Sequence, residues 1–323
     1  MQKISLLLLT ILIFYSCKKE EEISTNNSTL SVEDFLNDRA PQTQTYIIDA
    51  EQGGQFFTQK GSKVTIPNDA FYAADGESVL GDVKIEMNEI FSKSDMLFSG
   101  VFPVSNAWGS GMVLNSGGEF SIEAMQGEED LRVAKDKFIE VVIPAQAGPE
   151  GMQLFVAGPV DDDTSAVDWG APLGVNDDNW NDTTMSMSSF TFNSADGTYS
   201  ITLDTLGWAN IDAFNWQITY FDCIFALQGI TGLDNSNTTA FAIFQGQNAV
   251  WPVGVNSWGS IQNDTIFESH LANVPLNLLV ISVVNGDLFY GLLSLIPQPG
   301  TIYTIDMLPV SSADLDQIIA DLP

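Results

Sequence analysis

The sequence predicts an all-β chain, built as two antiparallel β-sandwich domains plus a short C-terminal helix. Three observations carry that expectation. Apolar and polar residues alternate with period two through most of the chain after Tyr46. Gly, Asn, Asp and Pro punctuate the alternating runs at the ~8–15-residue spacing of short strands. No sustained helical period appears among them until the segment after Ser311.

The first element is an address. Met1-Gln2-Lys3 supplies a positive start, and Ile4 to Tyr15 is apolar except for Ser5 and Thr10. That run is shorter than the ~20 apolar residues a membrane-spanning helix needs, and it fits the h-region of a signal peptide, residues 1–16. Phe14-Tyr15-Ser16-Cys17 follows, with a small residue directly before the cysteine. It resembles the lipobox of a Bacteroidota lipoprotein, with Phe14 and Tyr15 where the usual box has Leu and a small residue. The resemblance implies cleavage before Cys17 and acylation of its thiol. Lys18-Lys19-Glu20-Glu21-Glu22 is similar to the surface-export signal of the same lipoproteins. It implies an outer-membrane protein, lipid-anchored and facing the cell exterior. Residues 17–45 then read as a flexible tether with at most one helical turn near Val32 to Leu36.

The body follows. Val83, Ile85 and Met87 face one way, with Lys84, Glu86 and Asn88 opposite. Phe120, Ile122 and Ala124, then Ile139, Val141 and Ile143, then Met152, Leu154 and Val156 repeat the pattern. Turns are expected at Gly53-Gly54, Asp75-Gly76, Asn115-Ser116-Gly117-Gly118 and Gln126-Gly127. These strands define a first domain over residues 46–160. Residues 161–197, rich in Asp, Asn, Ser and Thr, read as an acidic linker. Strands resume at Tyr199, Ile201 and Leu203, continue through Phe214 to Phe225, Ala240 to Phe244 and Ala249 to Val253, and define a second domain over residues 198–323. Leu276 to Ile296 is apolar enough to suggest a membrane helix, but Asn285-Gly286-Asp287 is a type I′ turn signal and makes it a buried hairpin. At the C-terminus, Ser311 with Asp314 forms a helix N-cap pattern, and Leu315, Ile318, Ile319 and Leu322 form one stripe.

One resemblance covers much of the body. Gly61-Ser62-Lys63-Val64-Thr65-Ile66-Pro67-Asn68-Asp69-Ala70-Phe71, with Gly81-Asp82-Val83-Lys84-Ile85 after it, resembles the ZU-five β-sandwich of ankyrins, netrin receptors and many bacterial surface proteins. The segments 114–118, 151–155 and 206–212 are similar to the same bacterial set. The resemblance implies an Ig-like, ZU-five-like fold and carries no chemistry. Some members cleave themselves at a His-Phe-Ser site; this chain has Phe98-Ser99 without the His.

Charge and composition bound the function. The chain has 323 residues, 11 Lys+Arg, 42 Asp+Glu and a formal net charge of −31. With so few cations it lacks the basic face that phosphate neutralisation demands, which excludes nucleic acid as a partner. One histidine and two cysteines do not furnish a zinc set. His270 lies in what reads as an inter-strand loop, without a Gly-x-Ser-x-Gly elbow to accompany it. Cys223, in an apolar run with no basic neighbour, reads as core.

Two binding readings arise from composition. Asp161, Asp162, Asp163, Asp177, Asp178 and Asp182 offer clustered oxygens suited to Ca²⁺, the one cofactor the sequence invites. Trp251 and Trp258 flank a small-residue loop and form a candidate glycan platform. Asp182-Thr183-Thr184, Asp204-Thr205-Leu206 and Asp264-Thr265-Ile266 match the Asp-Thr-x sites that Bacteroidota modify with O-glycans. The expectation is a non-catalytic interaction or structural module of the cell envelope, with envelope proteins or glycans as partners. The alternative is a glycan-binding component of a polysaccharide-uptake system, and a carboxylate-based hydrolase stays open beside both.

Overall fold

The computed structural model describes residues 30–105, 111–157, 167, 169, 172–173, 187–214, 218–254 and 259–323. The described chain is mostly β, in several largely antiparallel sheets, with three short helices. The first sheet runs, in spatial order, Gln44–Asp49, Asp82–Ile90, Met112–Gln126, Gly207–Phe214 and Met152–Ala157, each pair antiparallel. The second runs Ser189–Asn193, Thr198–Leu203, Ile139–Pro144, Lys63–Ile66 and Gly54–Phe57. One apolar cluster joins them: Val83, Ile85, Met87, Phe120 and Ile122 from the first, Val64, Ile139, Val141, Ile143 and Ile201 from the second. Period-two alternation built this core, because successive side chains of a strand point to opposite faces.

The third sheet orders Gly259–Gln262, Thr265–Ala272, Tyr220–Gln228 and Ile302–Asp306, the last pairing parallel to its neighbour. The fourth orders Val250–Val253, Thr238–Phe244, Leu276–Val284, Asp287–Leu295 and Leu308–Pro309. They share a second cluster that includes Phe225, Phe244, Trp251, Leu271, Leu278 and Val280. The expected hairpin is present: Val284 pairs with Asp287 across Asn285 (φ 54°) and Gly286 (φ 87°), the two left-handed residues a type I′ turn requires.

A third cluster joins the first sheet to the fourth and seats all three helices. Ile90, Leu114 and Phe155 of the first sheet meet Phe241, Ile243, Leu279 and Ile281 of the fourth. Helix α1 (Val32–Asn37) contributes Phe35, α2 (Lys93–Ser99) contributes Met96 and Leu97, and α3 (Ser312–Ala320) contributes Leu315 and Ile319. Each helix opens on a serine cap, Ser31, Ser92 or Ser311, whose hydroxyl accepts from the amide three residues on. Arg39 closes the first against the last: its Nε and Nη2 donate to Asp316 at 2.5 and 3.2 Å, and its guanidinium carbon stands 3.9 Å from the Phe35 ring centroid.

Four expectations are corrected. The tether does not extend to residue 45, because Phe35 is wholly buried and strand pairing begins at Gln44. The sheets do not divide at residue 198. Thr198–Leu203 pairs with Ile139–Pro144, and Gly207–Phe214 pairs with Met112–Gln126, so the change of sheets falls between Phe214 and Tyr220. The strands on either side of the acidic stretch, Met152–Ala157 and Ser189–Asn193, belong to the first and second sheets, so composition there marks no change of sheet pair. The end of the expected linker is already a strand, Ser189–Asn193.

Asn115-Ser116-Gly117-Gly118 is no turn; it lies inside the strand Met112–Gln126. A Cβ at Gly117 would stand 2.8 Å from the Ile211 carbonyl oxygen and 2.9 Å from Tyr199 Cε2, so glycine serves close approach there. Opposite it, the register shifts between Asn210 and Asp212. Finally, Phe98 and Ser99 belong to α2, a helix the alternation gave no reason to expect.

Candidate functional site

The least ordinary chemistry lies on the side of the first sheet turned away from its partner sheet. In Met112–Gln126, Phe120 and Ile122 enter the first core, which sends Glu119 and Ser121 to the opposite face. In Gly207–Phe214, Ala209 and Ile211 enter that core, which sends Asn210 and Asp212 the same way. Glu119 and Asn210 are direct cross-strand partners, as are Ser116 and Asp212. The neighbouring segment of the fourth sheet covers this end: the Asn248 carbonyl accepts from the Ser116 amide at 3.0 Å, and Asn248 Nδ2 donates to the carbonyls of Phe91 and Ser116 at 3.0 and 3.1 Å. Ser116, Glu119, Asn210 and Asp212 are all 0 % exposed.

Their hydrogen bonds leave a deficit. The Ser116 hydroxyl accepts from the Gly118 amide at 3.1 Å and gives its one proton to Asn210 Oδ1 at 3.3 Å. Asn210 Nδ2 donates to Asp212 Oδ2 at 2.5 Å. Neither oxygen of Glu119 receives a donor, nor does Asp212 Oδ1. Burial pushes both carboxyls up, Asp212 to about 8 and Glu119 well above the ordinary carboxylate range; for Glu119 the nearby Asp212 charge adds to burial. Ser116 opposes the rise at both carboxyls, and Asn210 and the Gly117 backbone oppose it at Asp212. Tyr199 is pushed up to about 12, by burial first and the Asp212 charge second.

A second buried carboxylate shows what satisfaction looks like in the same fold. Glu89, 1 % exposed, accepts from Thr58 Oγ1 at 2.8 Å, Ser62 Oγ at 2.5 Å and Gln44 Nε2 at 2.7 Å. Glu268 accepts from the amides of Gly254 and His270, each at 3.0 Å. Nothing comparable serves Glu119.

The sequence-expected site residues fare unevenly. Residues 1–16, Cys17, Asp161, Asp162, Asp163, Asp177, Asp178, Asp182 and Trp258 lie outside the described residues. Trp251 is in the strand Val250–Val253, 2 % exposed and inside the second core, so it offers no face to a sugar; apolar neighbours on both sheets claimed it. His270 is not in a loop but in the strand Thr265–Ala272, stacked on Tyr220 with centroids 3.8 Å apart and Nε2 2.7 Å from the Gly111 carbonyl oxygen. Burial lowers its basicity. Cys223 is buried as expected, its thiol pushed up to about 11 by burial and then by Glu268 and Asp222.

Two surface features complete the inventory. A groove of about 780 Å³ carries Glu123, Glu129, Asp130 and Asp204 with Arg132, and burial followed by Glu86 and Asp130 raises the Glu123 carboxyl. On the outer face of the third sheet, Ile224 is directly paired with Phe267 on one side and Ile302 on the other. Phe267 and Ile302 are 40 % and 67 % exposed and flank the half-buried Ile224, so three apolar side chains stand in register on that face. Among the described residues no three His, Cys, Asp or Glu side chains gather into a metal set, and no helix is long and apolar enough to cross a membrane. No protein-family model, curated protein or solved structure matches the chain.

Proposed function

We propose that this chain is a surface-exposed outer-membrane lipoprotein acting as a non-catalytic interaction module of the cell envelope. In this reading Cys17 carries the lipid, and the two pairs of sheets are two β-sandwich units, the first ZU-five-like. The observation that carries the interaction role is the in-register row Phe267, Ile224 and Ile302. Sheet positions turned to water are ordinarily polar, and an aligned apolar row there, on a body of net charge −31, marks a contact surface. The partner is a protein of the envelope that presents an apolar strip and tolerates an acidic surround.

A photo-crosslinking residue at Ile302, in cells that make the full chain, tests this. The expected result is one discrete adduct, lost on Phe267→Asp while the melting temperature is kept. Absence of an adduct, or an adduct indifferent to Phe267→Asp, refutes the role. Anchoring is tested separately. Cys17→Ala is expected to move the protein from the membrane fraction to the soluble one, and externally added protease is expected to digest the anchored form on intact cells.

A further inference from the structure

The buried pair on the first sheet has an electrostatic deficit that the protein around it does not repair. Two carboxyl groups lie beside one another with no exposure, and three of their four oxygens receive no donor. The ion pairs among the described residues are Arg39–Asp316, Lys60–Asp95 and Lys84–Glu86, none of which reaches them. An isolated ionised carboxylate in such surroundings is among the costliest groups a fold can bury. The Glu89 site shows that this fold can supply three donors to a buried carboxylate. Beside Glu119 stand Asn210, its direct cross-strand partner, the Asp212 carboxyl, whose charge pushes Glu119 up, and a single hydroxyl, Ser116, which offsets this only in part.

We propose that Glu119 and Asp212, with Ser116 and Asn210 beside them, hold a calcium ion between the first and fourth sheets. Two negative charges balance one divalent cation, and the unsatisfied oxygens are the hard donors calcium takes. Magnesium fits less well, because it sheds its waters reluctantly and this site is closed to water. Zinc finds no nitrogen or sulfur there. Closure has a kinetic consequence: the ion enters as the sheets come together and leaves only when they part. The site is distinct from the acidic residues 161–182 that the composition suggested.

The test uses the full chain, unfolded in urea and refolded either with calcium or in metal-free buffer with chelator. Metal content is then measured after dialysis against chelator. The expected result is about one calcium per chain retained by the calcium-refolded protein, with a melting temperature roughly 5–10 °C above that of the chelator-refolded form. Glu119→Gln and Asp212→Asn are each expected to abolish retention, while replacing Asp161, Asp162, Asp163, Asp177, Asp178 and Asp182 together by Asn leaves it. No retained calcium in the wild-type chain overturns the proposal. So does retention that survives Glu119→Gln but is lost with the six Asn substitutions. Equal melting temperatures with and without calcium also overturn it; the pair then shares a proton instead. If either single variant fails to fold, the metal content and melting temperature of the wild-type chain still decide.

Discussion

Phe35→Ala is the perturbation that most directly probes how the N-terminal segment is held. Phe35 is wholly buried in the third cluster, on a helix of six residues whose other apolar side chains, Val32 and Leu36, are only partly buried against it. Burying a phenylalanine stabilises by about 1.5–3 kcal/mol, and truncating one in a core costs about 3–5 kcal/mol once the cavity is counted. Arg39 adds about 0.5–1 kcal/mol through its position over the ring, which the variant also loses. The Arg39–Asp316 pair is part-exposed and contributes at most about 1 kcal/mol. Without the ring, what holds α1 is therefore smaller than the cavity it would have to cover. The helix is expected to release rather than span a void. Release caps the loss, so the melting temperature falls by about 10 °C or less at the ~3 °C per kcal/mol typical of this size. Hydrogen exchange supplies the assay: the amides of Phe35, Asp38 and Arg39, bonded in α1 or its last turn, lose protection while those of Val83 and Ile85 keep it. Phe35→Leu retains part of both effects. Unchanged exchange in α1 together with an unchanged melting temperature refutes this account of the anchor.

Other expectations follow from particular atoms. In metal-free buffer, the chain is expected to be less stable at pH 8 than at pH 5, read as the urea midpoint. Folding raises the Asp212 carboxyl to about 8 from an ordinary value near 3.8, so its stabilising proton is fully present below the unfolded value and is lost as pH climbs toward 8. Glu119 shifts in the same direction, and Asp212→Asn is expected to flatten the slope. Gly117→Ala places a methyl 2.8 Å from the Ile211 carbonyl oxygen, a backbone atom that cannot swing aside, and is expected to cost roughly 1–3 kcal/mol in chemical denaturation. In a Cys17→Ala background, Cys223 is expected to resist alkylation at pH 8 in the native chain and to react at once in urea, because its thiol titrates only at about 11.

Much of the fold was legible because local rules coincide with it. Asn285-Gly286 demands two left-handed residues, which only a hairpin turn uses, and the Ser311–Asp314 cap with its apolar stripe admits only a helix. What was missed has one physical root. Alternation says which residues share a face but not whether that face meets water. Glu119, Ser121, Asn210 and Asp212 occupy positions that read as the wet side of their strands. They are buried because a second pair of sheets and three helices cover that side. The same ambiguity concealed α2, whose buried Met96 and Leu97 are too few to show a helical period. It also misdirected Gly117 toward a turn, since a glycine needed for close approach looks like one needed for a bend. Trp251 failed as a sugar platform for the converse reason: beside a loop of small residues it reads as exposed, yet its strand runs through the second core.

The contact between Arg39 and Asp316 joins positions 277 residues apart, and Ile302–Asp306 enters the third sheet beside Tyr220–Gln228 only after four intervening strands of the fourth sheet have been laid down. For a chain that emerges from a ribosome or a translocon with its amino end first, this fixes a timetable. The first pair of sheets can assemble as soon as Phe214 is out, whereas α1 meets α2 early, Phe98 standing edge-on to Phe35 at 6.4 Å, and gains the Arg39–Asp316 contact only from nearly the last residues to arrive. Clamping α1 against α3 is thus a late and long-range event, the kind that is slow because loop closure precedes any reward.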